Sequence, residues 1–376
     1  MIQKIKQSRI ISPFFISSVA LALVGYALTF IAQRNAAFAE AVTQSVSAFV
    51  RFILAKATGW LPFSLAEVLL IAVLPLGICA LIVYTVIKAK KSKGRRIATV
   101  LRSLLHLIGA AGIVYFLFAA TFLVCYGRPS LEKNIGFERH LVDAQMLKST
   151  AEQLADELNA LIDANPQLIS GEEGTRMPYS LGQMNAHLRT AYSSLCEKYS
   201  AYGKISAPVK PVILSEPMTY THISGVYSFF TGEANLNTNF PDYTLPFTAA
   251  HEMAHQRGIA REDEANFSAF LACMESTDPY VRYSAYAMTL QYVTNALYSA
   301  DRAAFEEVMY SRLNRCVINE MVAYQRFFDK YRESKAAEVS GAVNDSYLKA
   351  QGQEAGEKSY GMVVDLVVVY YENKIN

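Results

Sequence analysis

The sequence has few cysteines, and their spacing excludes the usual cysteine-based sites. The chain of 376 residues contains five cysteines, and no two of them have C-x-x-C spacing. Cys79 and Cys125 fall in apolar segments, which leaves three cysteines for the rest of a long chain. A disulfide framework and a cysteine zinc cluster are therefore both excluded.

Acidic residues are scarce in the first third of the chain. Up to Gly127 there are 13 lysines and arginines but only two acids, Glu40 and Glu67. The remaining residues contain 22 basic and 31 acidic side chains, so the net charge of +2 conceals a basic, apolar part and a mildly acidic part. Because the large second part is acidic, no nucleic-acid partner is expected.

Three apolar runs are long enough to cross a bilayer, at about residues 10–32, 65–87 and 104–126. Residues 36–56 have helical spacing and are expected to lie at the membrane surface or to pack on the bundle. The residues at 37–39, Ala-Phe-Ala, also fit a signal-peptide cleavage site, which is the alternative interpretation of the first run. The chain is therefore predicted to contact a lipid bilayer through a membrane domain at residues 1–127.

Positive charge predicts the orientation of these spans. Ten lysines and arginines flank the side shared by the N-terminus and the loop at 88–102, against three on the other side. Basic residues near helix ends are retained in the cytoplasm. The N-terminus is therefore expected to be cytoplasmic, and residues 128–376 are expected to form an extracytoplasmic domain.

The second domain is predicted to be mainly α, of the α+β class, with a small sheet. Apolar positions three and four apart predict helices over 143–163, 180–202, 261–274, 280–298 and 302–335. Short strands are expected within 207–218, 223–230 and 233–239. The apolar tail at 363–371 is too short to span a membrane and is expected to be a buried helix or strand.

The residues at 251–255 read H-E-x-x-H, which is the most informative pattern in the sequence. On a helix, His251 and His255 lie one turn apart on the same face and can direct ring nitrogens at one point. Glu252 lies one position round, where its carboxylate can accept a proton from water activated by a metal. The pattern predicts a catalytic Zn²⁺ site with Glu252 as the general base.

Catalytic zinc needs a third protein ligand and one open position. Gly258 can end the first helix, and a second helix that begins near Arg261 could return a carboxylate to the histidines. We expect Glu264 to be that ligand, with Glu262 as the alternative. Asn266 could hold a ligand histidine through a hydrogen bond.

Peptide hydrolysis also needs a donor near the oxyanion and a surface that holds the substrate. The candidates for the donor are Tyr360, Lys349, Tyr347 and His222, and the sequence does not choose among them. The predicted sheet comes just before the metal helix. Its edge could pair with an extended peptide, or the sheet could simply support the helix.

Two segments resemble known zinc peptidases. Residues 251–255 with 264–269 resemble the gluzincins, whose third zinc ligand is a glutamate on a later helix. The form E-A-[DN]-x-x-A is similar to the membrane-embedded CAAX-protease and heat-shock-protease group, and residues 225–237 resemble the beta-lactam sensor-transducer metallopeptidases. This resemblance implies a zincin-like domain and zinc peptidase chemistry.

The whole chain is similar to an uncharacterised bacterial family of three-span membrane proteins, a domain-of-unknown-function family. The similarity includes residues 62–67, 231–235, the metal motif and residues within 347–361. It implies a multi-pass protein of the bacterial inner membrane.

We therefore expect a membrane-anchored zinc metalloendopeptidase that hydrolyses envelope or exported proteins or peptides. The alternative is a signal transducer or scaffold whose metal domain does not cleave. A transporter or channel is disfavoured because the three spans contain few charges that could form an ion path.

Overall fold

The computed structural model describes residues 10–92, 94–169 and 175–375. The protein is mainly helical, with a small sheet and several apolar helices near the N-terminus that indicate a membrane protein. The side chains of residues 357, 360 and 375 lie outside the described part, as do the basic residues before Ile10. The predicted boundary between two domains at residue 127 remains a prediction.

Four helices in the described part are long and apolar enough to cross a membrane, by length and composition alone. They are α1 (Pro13–Ala32), α2 (Ala36–Thr58), α3 (Leu65–Lys91) and α4 (Arg96–Thr121, continued by a 3₁₀ turn over Leu123–Gly127). Three of them coincide with the predicted spans. The fourth, α2, is the segment that the sequence analysis expected to lie along the membrane or on the bundle.

The contacts of α2 extend along its whole length and lead to the C-terminal part of the chain. Gln44 Nε2 donates to the Ala201 carbonyl at 3.2 Å, and Thr58 Oγ1 donates to the Thr231 carbonyl at 3.2 Å. A helix that crosses a bilayer would have one end far from this domain. These contacts favour a position of α2 against the C-terminal part of the chain, whereas the membrane surface or the membrane bundle was expected.

The start of α3 also forms hydrogen bonds with the C-terminal part of the chain. Ser64 Oγ accepts a hydrogen bond from the Glu67 N–H at 3.0 Å, as expected for an N-cap. The Glu67 carboxylate accepts the N–H groups of Ile213 and Leu214, both at 2.8 Å. A buried neighbour, Glu233, accepts the two N–H groups that begin the helix.

The described helices after residue 128 are α5 (Leu131–Ile135), α6 (Ala144–Ala164), α7 (Leu181–Lys198), α8 (Ser215–Thr219), α9 (Leu245–Gln256), α10 (Glu262–Met274), α11 (Pro279–Ala300), α12 (Arg302–Glu307), α13 (Arg315–Asp329), α14 (Lys335–Ala350) and α15 (Val363–Ile375). The largest buried apolar cluster is formed mainly by α6, α7, α9, α10, α11 and α15. The helices that carry the H-E-x-x-H motif and the acidic residues after it, α9 and α10, are therefore central to this core.

The prediction of one continuous helix over 302–335 is wrong. The chain forms α12, then a π-helical turn over Val308–Arg312, and then α13. Asn314 begins α13 by accepting the Cys316 N–H at 3.1 Å, and such a cap requires a non-helical backbone before it. Helical spacing on both sides of the break conceals it in the sequence.

The sheet has three short strands in the order β1 (Lys210–Pro211), β3 (Glu233–Leu236), β2 (Gly225–Ser228). β1 runs parallel to β3, and β2 runs antiparallel to it. All three fall inside the predicted segments. β2 lies at the edge of the sheet, beside α9.

Arg51 on α2 is expected to be a major contributor to stability, because its charge is buried at the interface of α2. Its Nη1 donates to the Thr121 carbonyl at 2.9 Å, and its Nη2 donates to the Thr43 carbonyl at 3.1 Å. Replacement by Met would leave these carbonyls unpaired and should destabilise the protein by about 2–4 kcal/mol. The measurement is thermal unfolding of the purified chain in detergent.

The exposed Arg34 provides the matched control, since Arg34→Met removes only a contact at the surface. An equal shift of the unfolding temperature in the two variants would contradict the packing of α2 described above.

Candidate metal centre

The metal motif lies on α9, which is buried along its whole length. Pro246 is in the first turn, where a missing N–H is tolerated. The helix ends at Gly258, whose φ of +89° is the left-handed conformation that favours glycine. The N–H of Gly258 bonds the His255 carbonyl and that of Ile259 bonds the Ala254 carbonyl. This turn confirms the predicted end of the helix and returns Ile259 towards His255.

The two histidines are held by acceptors on their Nδ1 atoms. His251 Nδ1 lies 2.8 Å from Asn266 Oδ1, and His255 Nδ1 lies 2.7 Å from the Ile259 carbonyl oxygen. Because these oxygens can only accept, the protons of the neutral rings lie on Nδ1. Each Nε2 is then a lone-pair donor, which is the arrangement found in histidines that bind metals.

Glu262, the first residue of α10, completes the cluster. Its Oε2 lies 3.2 Å from His251 Nε2 and 3.4 Å from His255 Nε2. Ligand atoms about 2.1 Å from a tetrahedral zinc ion are separated by roughly 3.4 Å, so these spacings fit one ion. Among the described residues, these three are the group of histidine, cysteine and acidic side chains that could hold a metal.

Glu262 Oε2 is buried, and the polar atoms that face it are the Nε2 atoms of His251 and His255. Three lone-pair atoms, two ring nitrogens and one carboxylate oxygen, therefore face one another in a buried site. Such a set is stable only with a cation among its members, either a proton or a metal ion. This donor set fits zinc.

Glu264, the predicted third ligand, is directed to another part of the molecule. Its Oε1 accepts the Leu131 N–H at 2.9 Å and lies 3.0 Å from Arg261 Nη1. Two residues along a helix correspond to a rotation of about 200°, so Glu262 and Glu264 face opposite sides of α10. The structure therefore brings the alternative, Glu262, to the histidines in place of Glu264.

Glu252 lies on α9 beside the histidines and is also buried. The described residues give its Oε2 no hydrogen-bond partner. The backbone of β2 approaches it so closely that a Cβ at Gly225 would lie 2.6 Å from Glu252 Oε1. A glycine is therefore required at the position where the edge strand passes the predicted general base.

Asn266 occupies the position that the sequence predicted for it. It is one helical turn after Glu262 on α10, so both side chains face His251. Its Oδ1 contacts the His251 ring, and its Nδ2 lies 3.5 Å from the hydroxyl of Tyr292. The sequence analysis did not identify Tyr292, because tyrosines on α11 have the ordinary spacing of packed helices.

The four candidates for the oxyanion donor differ in whether they line the cavity that contains the histidines. His222 and Tyr347 line the same cavity as the histidines. His222 Nε2 lies 2.9 Å from the Tyr331 carbonyl oxygen, and the Tyr347 hydroxyl donates to the Tyr126 hydroxyl at 3.2 Å. Lys349 is exposed and pairs with Asp345 at 2.6 Å, away from the cavity lining. The side chain of Tyr360 lies outside the described part of the chain.

The histidines and both glutamates open into a cavity of about 900 Å³. Four elements form its other walls, namely β2 with the residues before it, the last turns of α4, α11 and α14. This volume is near the upper end for ligand sites and is large enough for several residues of a peptide. Tyr347 on α14 was among the predicted candidates for the oxyanion donor, but no helix was predicted over residues 335–350.

Burial and charge shift the acid–base properties of the cluster in the metal-free protein. Burial raises the pKa of the Glu252 carboxyl, although the neighbouring histidines oppose this effect. Burial also opposes ionisation of Glu262 and His255, but their mutual attraction lowers the pKa of Glu262 and raises that of His255. The site therefore attracts positive charge.

Comparisons with known proteins identify a family but no characterised relative. No curated protein matches the chain, and no solved structure matches it. A family model described as "Protein of unknown function (DUF3810)" matches residues 43–368, which include α2 from Thr43 onward and every residue of the candidate metal centre. The predicted similarity to a domain-of-unknown-function family is confirmed, whereas the link to zinc peptidases remains a prediction. The chain therefore belongs to this family of proteins of unknown function.

Proposed function

We propose that this protein is a membrane-anchored zinc metallopeptidase. The observation that carries the proposal is the set of three buried ligand atoms on His251, His255 and Glu262, beside the buried Oε2 of Glu252, which has no hydrogen-bond partner among the described residues. Two histidines and one glutamate are a ligand set of catalytic zinc, which keeps one position open for water or substrate.

His251, His255 and Glu262 would hold the metal, and Asn266 and the Ile259 carbonyl would keep the two rings in the correct tautomer. A bound zinc ion would make water acidic enough to be deprotonated near neutral pH and would polarise the scissile carbonyl. The burial that raises the pKa of Glu252 brings this carboxyl closer to the working range of a general base.

Glu252 would accept the proton of the attacking water at its unpartnered Oε2 and transfer it to the leaving amine. The two steps restore the carboxylate, so that no other co-reactant is needed. Tyr347 and His222 line the cavity and are the described candidates for the donor to the oxyanion.

The edge strand β2 supports peptide as the substrate class. The Asn237 N–H donates to the Ser224 carbonyl, so alternation along an antiparallel pair directs the N–H and C=O groups of Gly225 and Tyr227 away from β3. An extended peptide could pair with these groups beside Glu252. This is the position at which a scissile bond must lie.

We propose that the N-terminus is cytoplasmic and that residues 128–376 are extracytoplasmic, as the charge distribution predicts. The ends of α1 and α4 and the start of α3 lie on the side of the C-terminal domain, where Glu67 binds the N–H groups of Ile213 and Leu214. With the basic loop at 88–102 in the cytoplasm, the domain is extracytoplasmic. Its substrates would be envelope or exported proteins of a bacterial inner membrane.

The proposal is tested with the purified full chain in detergent and a mixed peptide library read by mass spectrometry. We expect hydrolysis that is lost after removal of metal by a chelator and restored by zinc, because the ligands bind zinc reversibly. A chain that binds zinc but cleaves no peptide would instead support a metal-binding transducer or scaffold.

Asn266 should tune the metal affinity without binding the metal. Replacement by Ala removes the acceptor from His251 Nδ1 and should weaken zinc binding by about 10- to 100-fold. Asn266→Asp keeps an acceptor and should retain most of the affinity. Competition with a zinc-binding dye measures both variants, and equal affinities in wild type and Asn266→Ala would show that Asn266 does not orient His251.

A further inference from the structure

One wall of the cavity is formed by the edge strand β2. A second wall, which we call the aromatic wall, is formed by Phe118 and Phe122 at the end of α4. We propose, on the basis of the proposed peptidase function, that the substrate is a membrane-anchored polypeptide cut in the extended segment next to its apolar anchor. The aromatic wall would bind the apolar residues that flank the scissile bond.

The aromatic wall begins at the metal centre itself. The ring of Phe122, at the end of α4, lies 5.7 Å from the ring of His255 and 5.4 Å from the ring of Tyr227 on β2. One turn earlier, Phe118 lies 4.4 Å from the ring of Phe229. A candidate membrane helix therefore contacts both a metal ligand and the edge-strand segment.

The length of α4 places this wall at the boundary of the bilayer. From Arg102 to Thr121 the helix is about 30 Å long, which matches the thickness of the hydrocarbon core. Phe118 and Phe122 are at the end of this stretch on the side of the domain. A peptide bond at the metal centre is thus within a few extended residues of the hydrocarbon.

The two walls suit the two parts of such a substrate. The edge of β2 offers main-chain groups, which bind an extended segment of any sequence. The aromatic wall offers apolar area, which a polar soluble peptide cannot use. A substrate whose scissile bond adjoins a membrane anchor uses both walls, and tethering to the same bilayer raises its effective concentration.

The first experiment compares cells that express the wild-type chain with cells that express Glu252→Gln. New N-termini in the membrane and exported proteins are identified by mass spectrometry. We expect Glu252-dependent cuts within about ten residues of an apolar span, since ten extended residues reach about 33 Å. Cuts that are mostly remote from any span would overturn this inference and leave the peptidase function in place.

The second experiment uses purified chain in vesicles of phosphatidylethanolamine and phosphatidylglycerol, with two peptides that contain one cut found in cells. One peptide carries a flanking apolar run of about 20 residues, enough to cross the bilayer, and the other carries a Gly/Ser flank of equal length. We expect kcat/KM to be at least about tenfold higher for the anchored peptide. Equal values for the two peptides would overturn the inference.

Phe118→Ala should lower kcat/KM for the anchored peptide by at least about tenfold more than it lowers kcat/KM for the Gly/Ser peptide. Phe49→Ala is the matched control, because Phe49 is exposed on α2 and does not line the cavity. Equal effects of the two variants would overturn the role of the aromatic wall. Cells in which no cut depends on Glu252 would contradict the peptidase function itself, which is a different result.

Discussion

Glu252→Gln should abolish peptide hydrolysis while the protein keeps its zinc. The amide is nearly isosteric with the carboxylate, so the fold and the ligands His251, His255 and Glu262 remain in place. It cannot accept the proton of the attacking water, and loss of a general base typically lowers the rate by 10²- to 10⁴-fold. The comparison measures kcat on one cleaved peptide together with zinc per chain.

Glu275→Gln is the matched control for this change. Glu275 follows α10 and pairs with Lys198 at 2.6 Å, outside the residues that line the cavity. We expect its kcat to equal that of the wild type. Full activity of Glu252→Gln would contradict the assigned role of Glu252, even if the protein contained zinc.

Glu262→Gln should lose the metal, whereas Glu264→Gln should keep it. The Glu262 side chain has its Oε2 within 3.4 Å of both Nε2 atoms. Without this charged oxygen the site has two neutral ligands, and zinc affinity should fall by more than about a hundredfold, beyond the loss typical of an outer-shell change. Competition with a zinc-binding dye measures the dissociation constants.

Glu264→Gln still offers an oxygen to the Leu131 N–H but loses the charge that pairs with Arg261. It should therefore bind zinc like the wild type and unfold at a somewhat lower temperature. The reverse result, with zinc lost in Glu264→Gln and kept in Glu262→Gln, would identify Glu264 as the third ligand, as the sequence first predicted.

Much of the metal helix could be predicted from the sequence, because its geometry depends on local rules. The spacing of His251 and His255 sets their common face, and Gly258 supplies the left-handed turn that ends the helix. The segments that contain the strands were also predictable, since prolines mark the first segment and the turn residues Thr231 and Gly232 separate the other two. These features depend on neighbours within a few residues.

The third ligand depended on the angle between two helices, which the sequence does not contain. The resemblance of residues 264–269 to the gluzincins favoured Glu264, but the short turn after Gly258 places Glu262, the first residue of α10, nearest the histidines. A local signal for Glu262 did exist. Asn266 was expected to contact a histidine, and Glu262 is the acid one turn before it on the same face.

The walls of the cavity could not be predicted, because they join segments that are far apart in the chain. Phe122 and His255 are more than 100 positions apart, and each has an ordinary local explanation as an apolar or a ligand residue. α14 likewise contributes Tyr347 only because of tertiary packing. Such long-range contacts also explain why the packing of α2 could be determined only from the structure.

Zinc K-edge X-ray absorption of the purified full chain tests the central claim most directly. We expect one zinc per chain, bound by nitrogen and oxygen atoms at about 2.0–2.2 Å with no sulfur. The imidazole signal should be lost in His251→Ala. A wild-type chain without zinc after incubation with the metal, or zinc bound by sulfur and retained in His251→Ala, would contradict it.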